Sequence, residues 1–205
     1  VEARGEQAGR GGRVGFLHSL ARDDGGVKAQ IGAFLAERGQ SGWREGRNIQ
    51  IEYRLGAAGD ADRIRRYAAE LVALAPDVIF AVGTANVGTL VQTTRTVPIV
   101  FALVADPVGA GIVASLARPG GNATGFVQFE YGLSGKWLEL LKEIAPRVKR
   151  VAVLRDPAIT AGIGQFGAIQ AVAPSLGLDV SPVNVRAARE IGQAYAEFAR
   201  VSESG

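Results

Sequence analysis

Cysteine and methionine are absent from the 205 residues, and histidine occurs once, at His18. Without cysteine there is no disulfide framework, no thiolate metal site and no cysteine nucleophile. A Ser-His-Asp triad would have to be built on His18, whose neighbour Ser19 diverges from it, and no G-x-S-x-G elbow is present. One histidine and scattered acids such as Asp23, Asp24, Asp60 and Asp62 form no metal-ligand spacing. No metal, cofactor or catalysis is expected. No apolar run approaches the roughly 18 residues of a membrane span, so direct membrane insertion is not expected. Nor is a concentrated charge of one sign: 23 Lys and Arg stand against 20 Asp and Glu, a net +3. The richest basic stretch, Arg63-Ile64-Arg65-Arg66, lies on a predicted amphipathic helix without interleaved aromatics, which reads as a solvated face rather than a nucleic-acid groove.

What is present is a globular composition, 47% hydrophobic, in which short apolar runs alternate with helical periodicity. After a polar lead over Val1 to Gly12, Arg13 to Leu17 reads as a buried strand and His18 to Gly26 as a polar loop. Val27, Ile31, Phe34 and Leu35 recur at helical spacing up to Gly39, a predicted glycine C-cap. Asn48 to Arg54 alternates strictly between apolar and polar, which predicts a strand near a sheet edge with one side in water. Asp60 is placed to cap a helix carrying Ile64, Tyr67, Leu71 and Val72. Val78 to Val82 and Val97 to Val104 are continuously apolar, as in strands covered on both faces, and a helix running to about Thr94 separates them. Strand alternating with helix predicts an α/β fold with a parallel sheet flanked by helices.

Arg118-Pro119-Gly120-Gly121-Asn122 is the densest cluster of helix and strand breakers. The crossing to a second lobe is expected there, giving one α/β lobe over 13–125 and another over 126–205. In the second, Ser134 is expected to cap a helix with Trp137, Leu138, Leu141 and Ile144. Strands near Val151 to Leu154 and Leu178 to Val185 are predicted, with helices around Ile169, Val172 and Leu176 and around Ile191, Tyr195 and Phe198. Gly46 to Ala73 and Gly177 to Val201 echo one another, but the first is followed by Val78 to Val82 and the second by Ser202 to Gly205. One strand is therefore expected to be missing from the second lobe.

Gly109-Ala110-Gly111-Ile112-Val113-Ala114 matches a G-x-G-x-x-A pattern. Only a short helix, about Gly111 to Leu116, fits before the breakers, so a nucleotide site is not supported. The loops after the strands ending at Leu17, Val82, Val104 and Leu154 lie where open α/β folds bind ligands, which makes His18, Ser19, Gly83, Thr84, Ala85, Asn86, Ala105, Asp106, Pro107, Arg155 and Asp156 candidate ligand-binding residues. Gly83 to Asn86 at a helix start suits a carboxylate, or is a plain strand-to-helix turn. Asp106-Pro107 could face a ligand ammonium or end a strand. Phe129, with Tyr131, could form an apolar wall or pack a hinge.

The motifs Gly42-Trp43-Arg44-Glu45-Gly46-Arg47-Asn48-Ile49, Asp106-Pro107-Val108-Gly109, Ser115 to Gly125 and Gly135-Lys136-Trp137-Leu138-Glu139-Leu140-Leu141-Lys142, in that order, resemble the ABC-transporter substrate-binding protein family that includes tryptophan- and tyrosine-binding members. The resemblance runs from about Arg13 onward. It implies two Rossmann-like lobes closing over a small carboxylated ligand, with an amino acid as the leading candidate, and an ABC-transporter membrane permease as partner. It also implies a periplasmic location, a signal peptide before Arg4 and a family sequence continuing past Gly205. A small flavodoxin-like enzyme or a regulatory ligand-sensing domain is the alternative from the fold pattern.

Overall fold

A computed structural model describes residues 11–157, 160–186 and 188–203. Most of the polar lead, Ala187 of the internal echo, and Ser204 and Gly205 lie outside them. The chain divides into two compact units. The first holds the described residues up to Leu103 with Ile112–Phe126; the second holds Val104–Gly111 and the described residues from Val127. The sequence pattern had placed one boundary, after residue 125.

In the first unit, strands β1 (Gly12–His18), β2 (Ile49–Leu55) and β3 (Val78–Val82) alternate with helices α1 (Gly25–Gln40), α2 (Ala61–Ala73) and α3 (Thr84–Thr93). Strands β4 (Ile99–Ala105) and β5 (Ala123–Phe129), whose last residues from Val104 and from Val127 belong to the second unit, complete a five-stranded sheet in the order β2-β1-β3-β4-β5. The β1–β2, β1–β3 and β3–β4 pairs are parallel. The alternating strand is indeed at the edge: Ile49 and Ile51 are buried and Gln50 between them is exposed. Asp24 and Asp60 cap α1 and α2, each carboxylate accepting first-turn N–H groups, which supplies acceptors that the helices themselves lack.

Phe16 is fully buried on β1, with ring centroids of Phe34, Tyr53 and Phe80 at 5.6, 5.5 and 5.4 Å. At Gly15 a Cβ would lie 3.1 Å from Ile79 and 3.3 Å from Leu71. Glycine there brings α2 close to the strands. At Gly125 it would lie 2.7 Å from the Phe101 carbonyl carbon, so β5 approaches β4 where no side chain fits.

The second unit contains α4 (Leu133–Ile144), β6 (Arg150–Arg155), α5 (Thr160–Val172), a 3-10 turn (Ala173–Leu176), β7 (Asp179–Asn184) and α6 (Ala188–Glu203). β6 and β7 pair in parallel as a two-stranded sheet. Leu138, Ile169, Ala173 and Leu178 form its core. Gly177, at φ 63°, closes the 3-10 turn in the left-handed conformation that glycine adopts without strain.

Three local expectations are corrected. α1 runs past Gly39 to Gln40 and is capped by Ser41 rather than by that glycine. No helix forms between Gly111 and Leu116. Its backbone is held in turns instead: Asp106 Oδ1 accepts the Gly109 N–H at 2.7 Å, and Ser115 Oγ accepts the Arg118 N–H at 3.0 Å. The N-cap of α4 is Gly132, and Ser134 sits inside its first turn with an unpartnered hydroxyl among the described residues. On that helix Leu138 is buried, whereas Trp137 is 47% and Ile144 83% exposed. The second tryptophan, Trp43, is 40% exposed and belongs to the first unit.

Candidate ligand-binding loops

The parallel register sets the carboxyl ends of three strands of the first unit level with one another. His18, the last residue of β1, pairs with Leu55 at the end of β2 and with Val82 at the end of β3. The candidates His18, Ser19, Gly83, Thr84, Ala85 and Asn86 therefore share one sheet edge. His18 is buried, 5% exposed. Its Nδ1 accepts the Leu20 N–H at 3.0 Å, and its Nε2 lies 3.1 Å from Gln30 Oε1. That arrangement assigns the proton to Nε2, and burial pushes the imidazole pKa below its ordinary value. Ser19 and Leu20 are tied by their carbonyls, which accept the N–H groups of Ala58 and Gly56 at 2.8 and 2.9 Å.

At the end of β3, Gly83 has φ 91° and ψ 150°, and it is the N-cap of α3 with no side-chain capping bond. The positive end of the helix is therefore left without a capping side chain. Asn86, on the same turn, is fully buried. Its Nδ2 donates to the Val82 carbonyl at 2.7 Å, while Oδ1 has no partner among the described residues.

The other candidates lie in the second unit. Asp106, with φ 38°, follows Ala105 and precedes the fully buried Pro107. Its N–H donates to the Phe129 carbonyl at 2.8 Å, and its Oδ2 accepts the Tyr131 N–H at 3.2 Å. With Oδ1 on Gly109, this carboxylate is an internal fastener. Tyr131 lies against Gly164, where a Cβ would come within 2.6 Å of the ring. Its buried hydroxyl has no partner among the described residues, and burial, followed by the charge of Asp106, raises its pKa. Phe129 packs edge-on against Trp137 at 6.3 Å. Arg155 and Asp156 line a concavity of about 520 Å³ with Trp137, Phe166, Gln165 and Leu154. The Arg155 guanidinium sits 4.8 Å from the Phe166 ring centroid, and its Nε donates to Asn184 Oδ1 at 3.1 Å. The sequence places Trp137 and Ile169 on helices without a binding role, and it does not single out Phe166 or Gln165. Trp137 lay within a quoted motif, but nothing in its spacing marked it as exposed.

Residues 26–204 match the family described as ABC transporter substrate binding protein. The chain belongs to this family. A tyrosine-binding protein of Clostridioides difficile is 29% identical over 171 residues, 83% of this chain and 48% of that protein. A conserved domain protein of Vibrio cholerae is 27% identical with a TM-score of 0.76, over 90% of this chain and 61% of that one. An ABC domain from Streptococcus pneumonia, solved with L-Trp, is 25% identical with a TM-score of 0.72, over 89% of this chain and 60% of that one. This substrate-binding family member thus spans about half the length of the curated relative and about three-fifths of these solved structures. The curated relative is named for binding tyrosine, and proteins of this family typically act outside the cytoplasm. Among the described residues no helix is long and apolar enough to cross a membrane.

Proposed function

We propose that the protein is the solute-binding component of an ABC importer, working in the periplasm with a membrane permease, and that it takes a small carboxylated ligand, an amino acid, without converting it. The observation that carries this reading is the start of α3. Gly83 brings no side chain to the helix N-terminus, and a carboxylate there would meet the positive dipole end and first-turn N–H groups. Asn86 adds a buried amide with an open acceptor, suited to an ammonium donor. The tryptophan and tyrosine bound by the relatives carry both charged groups. Taken by itself, the second unit's concavity has the aromatic and aliphatic lining that accepts an aromatic ring.

Calorimetric titration with amino acids, purines and sugars tests the reading, followed by recovery of the ligand. Saturable binding of an amino acid that is recovered unaltered is expected. Tight binding of a neutral sugar with every amino acid silent would overturn it, as would chemical turnover.

A further inference from the structure

At the outer end of the first unit's sheet edge, the chain leaving β1, the end of β2 and the first turns of α2 enclose a concavity of about 610 Å³. Its walls carry Arg22, Arg54, Arg63, Tyr53 and Tyr67, and no acidic residue lines it. The walls are held from behind. Gly56 and Ala58, after β2, donate N–H groups to the carbonyls of Leu20 and Ser19, so the loop bearing Arg22 is fastened to the loop that follows β2.

The three guanidinium groups are in different situations. Arg54 is neutralised: its Nε donates to Glu70 Oε2 at 2.6 Å, and its Nη1 donates to the Tyr53 carbonyl. Arg22 has its guanidinium carbon 4.4 Å from the Tyr53 ring centroid and no hydrogen-bond or ion-pair partner among the described residues. Arg63 lies 5.4 Å from the Tyr67 centroid and uses Nε to donate to the Tyr67 hydroxyl at 2.9 Å, and it likewise has no carboxylate partner among the described residues. Four of the neighbouring acids are committed elsewhere. Asp24 and Asp60 cap helices, Asp62 pairs with Arg65, and Glu70 holds Arg54 with Arg66 at 3.9 Å. Stacking on an aromatic face restrains a guanidinium while leaving its in-plane N–H donors for an oxyanion.

We infer that this concavity is a separate binding site for a small multivalent oxyanion, a pyrophosphate or a polycarboxylate, gripped by Arg22 and Arg63. Both tyrosine faces carry a guanidinium, so recognition is through oxygen atoms rather than by stacking of a ring. The site goes beyond the amino-acid reading, because it shares no residue with the start of α3.

Titration calorimetry at low ionic strength with inorganic pyrophosphate and with citrate tests it, on the full chain. Saturable heat is expected with at least one of these, weakening as sodium chloride is added. Arg22→Ala and Arg63→Ala should each weaken binding about tenfold or more, since each removes a charge-assisted donor set. Arg65→Ala, a cation on α2 outside the concavity, should stay within about twofold of the wild type. Amino-acid binding should be unchanged in both concavity variants. Absence of saturable heat with both anions would overturn the inference. So would an Arg65→Ala loss as large as the other two, which would reduce the effect to net charge.

Discussion

Lowering the pH tests the environment of His18 directly, because it is the chain's only histidine and its imidazole signals in a proton NMR titration are unambiguous. The ring is buried, Nδ1 is occupied by the Leu20 N–H, and Gln30 meets Nε2. A second proton would have to enter at Nδ1 and break the Leu20 bond. Burial lowers the pKa, and this outweighs the raising effects of Gln30, Asp24 and the Leu20 contact. The sign follows from linkage. Above the ordinary value of about 6.5 the ring is neutral in both states, and His18 gives stability no pH dependence. As pH falls through that value the unfolded chain takes up the proton first, and stability drops. The slope approaches but does not exceed about 1.4 kcal/mol per pH unit until the folded pKa is reached. Urea unfolding of the wild type and of His18→Gln at several pH values between 7.5 and 5 isolates this contribution, because the carboxylates are common to both. The wild type should lose up to about 1.4 kcal/mol more than the variant per unit below pH 6.5. An imidazole titrating at or above 6.5, or parallel stability curves for the two proteins, would refute the reasoning.

Replacing Thr84 and Asn86 together by alanine should weaken amino-acid binding by about 1 to 3 kcal/mol, read by calorimetry; unchanged affinity would make the start of α3 an ordinary turn. Gly125→Ala places a methyl group 2.7 Å from the Phe101 carbonyl carbon, and should cost about 1 to 3 kcal/mol or more in urea unfolding through strain between β4 and β5. In native-state hydrogen exchange the amides of β6 and β7 should exchange faster than those of β1 and β3. The former belong to a two-stranded sheet in which no β6 residue is fully buried, whereas β1 is paired on both sides. Equal protection would show that the second unit is as stable as the first.

The fold was legible where burial writes itself into periodicity. Alternation marked β2 as an edge strand, continuous apolar runs marked β3 and β4, and Asp60 marked the start of α2, because each reflects a local physical demand. Positions set by tertiary contact were not legible. Ser134 offers the chemistry of a cap, yet the turn before it ends at Gly132, and the backbone there decides the helix start. Gly109 to Ala114 carries a dinucleotide-like spacing, but the Asp106 carboxylate draws the Gly109 N–H into a turn. The candidate loops were placed by strand order alone, and the register brings His18 to Asn86 to one edge as that reasoning requires. The burial of His18 was hidden, because a polar residue at the head of a polar loop looks solvated until Gln30 and the Leu20 amide are seen to satisfy it. The cationic concavity was hidden for a similar reason: Arg22, Arg54 and Arg63 are separated in sequence and converge only through the β1–β2 pairing.

The placement of the two tryptophans equips the protein with a spectroscopic division of labour. Trp43 reports from the first unit and Trp137 from the second, and both indoles are partly open to water, so each emission is sensitive to local unfolding and to quenchers. Trp43→Phe and Trp137→Phe then yield two single-fluorophore proteins. Their denaturation curves show by direct comparison whether the units melt together or one after the other, with no label introduced into a chain that has no cysteine to carry one.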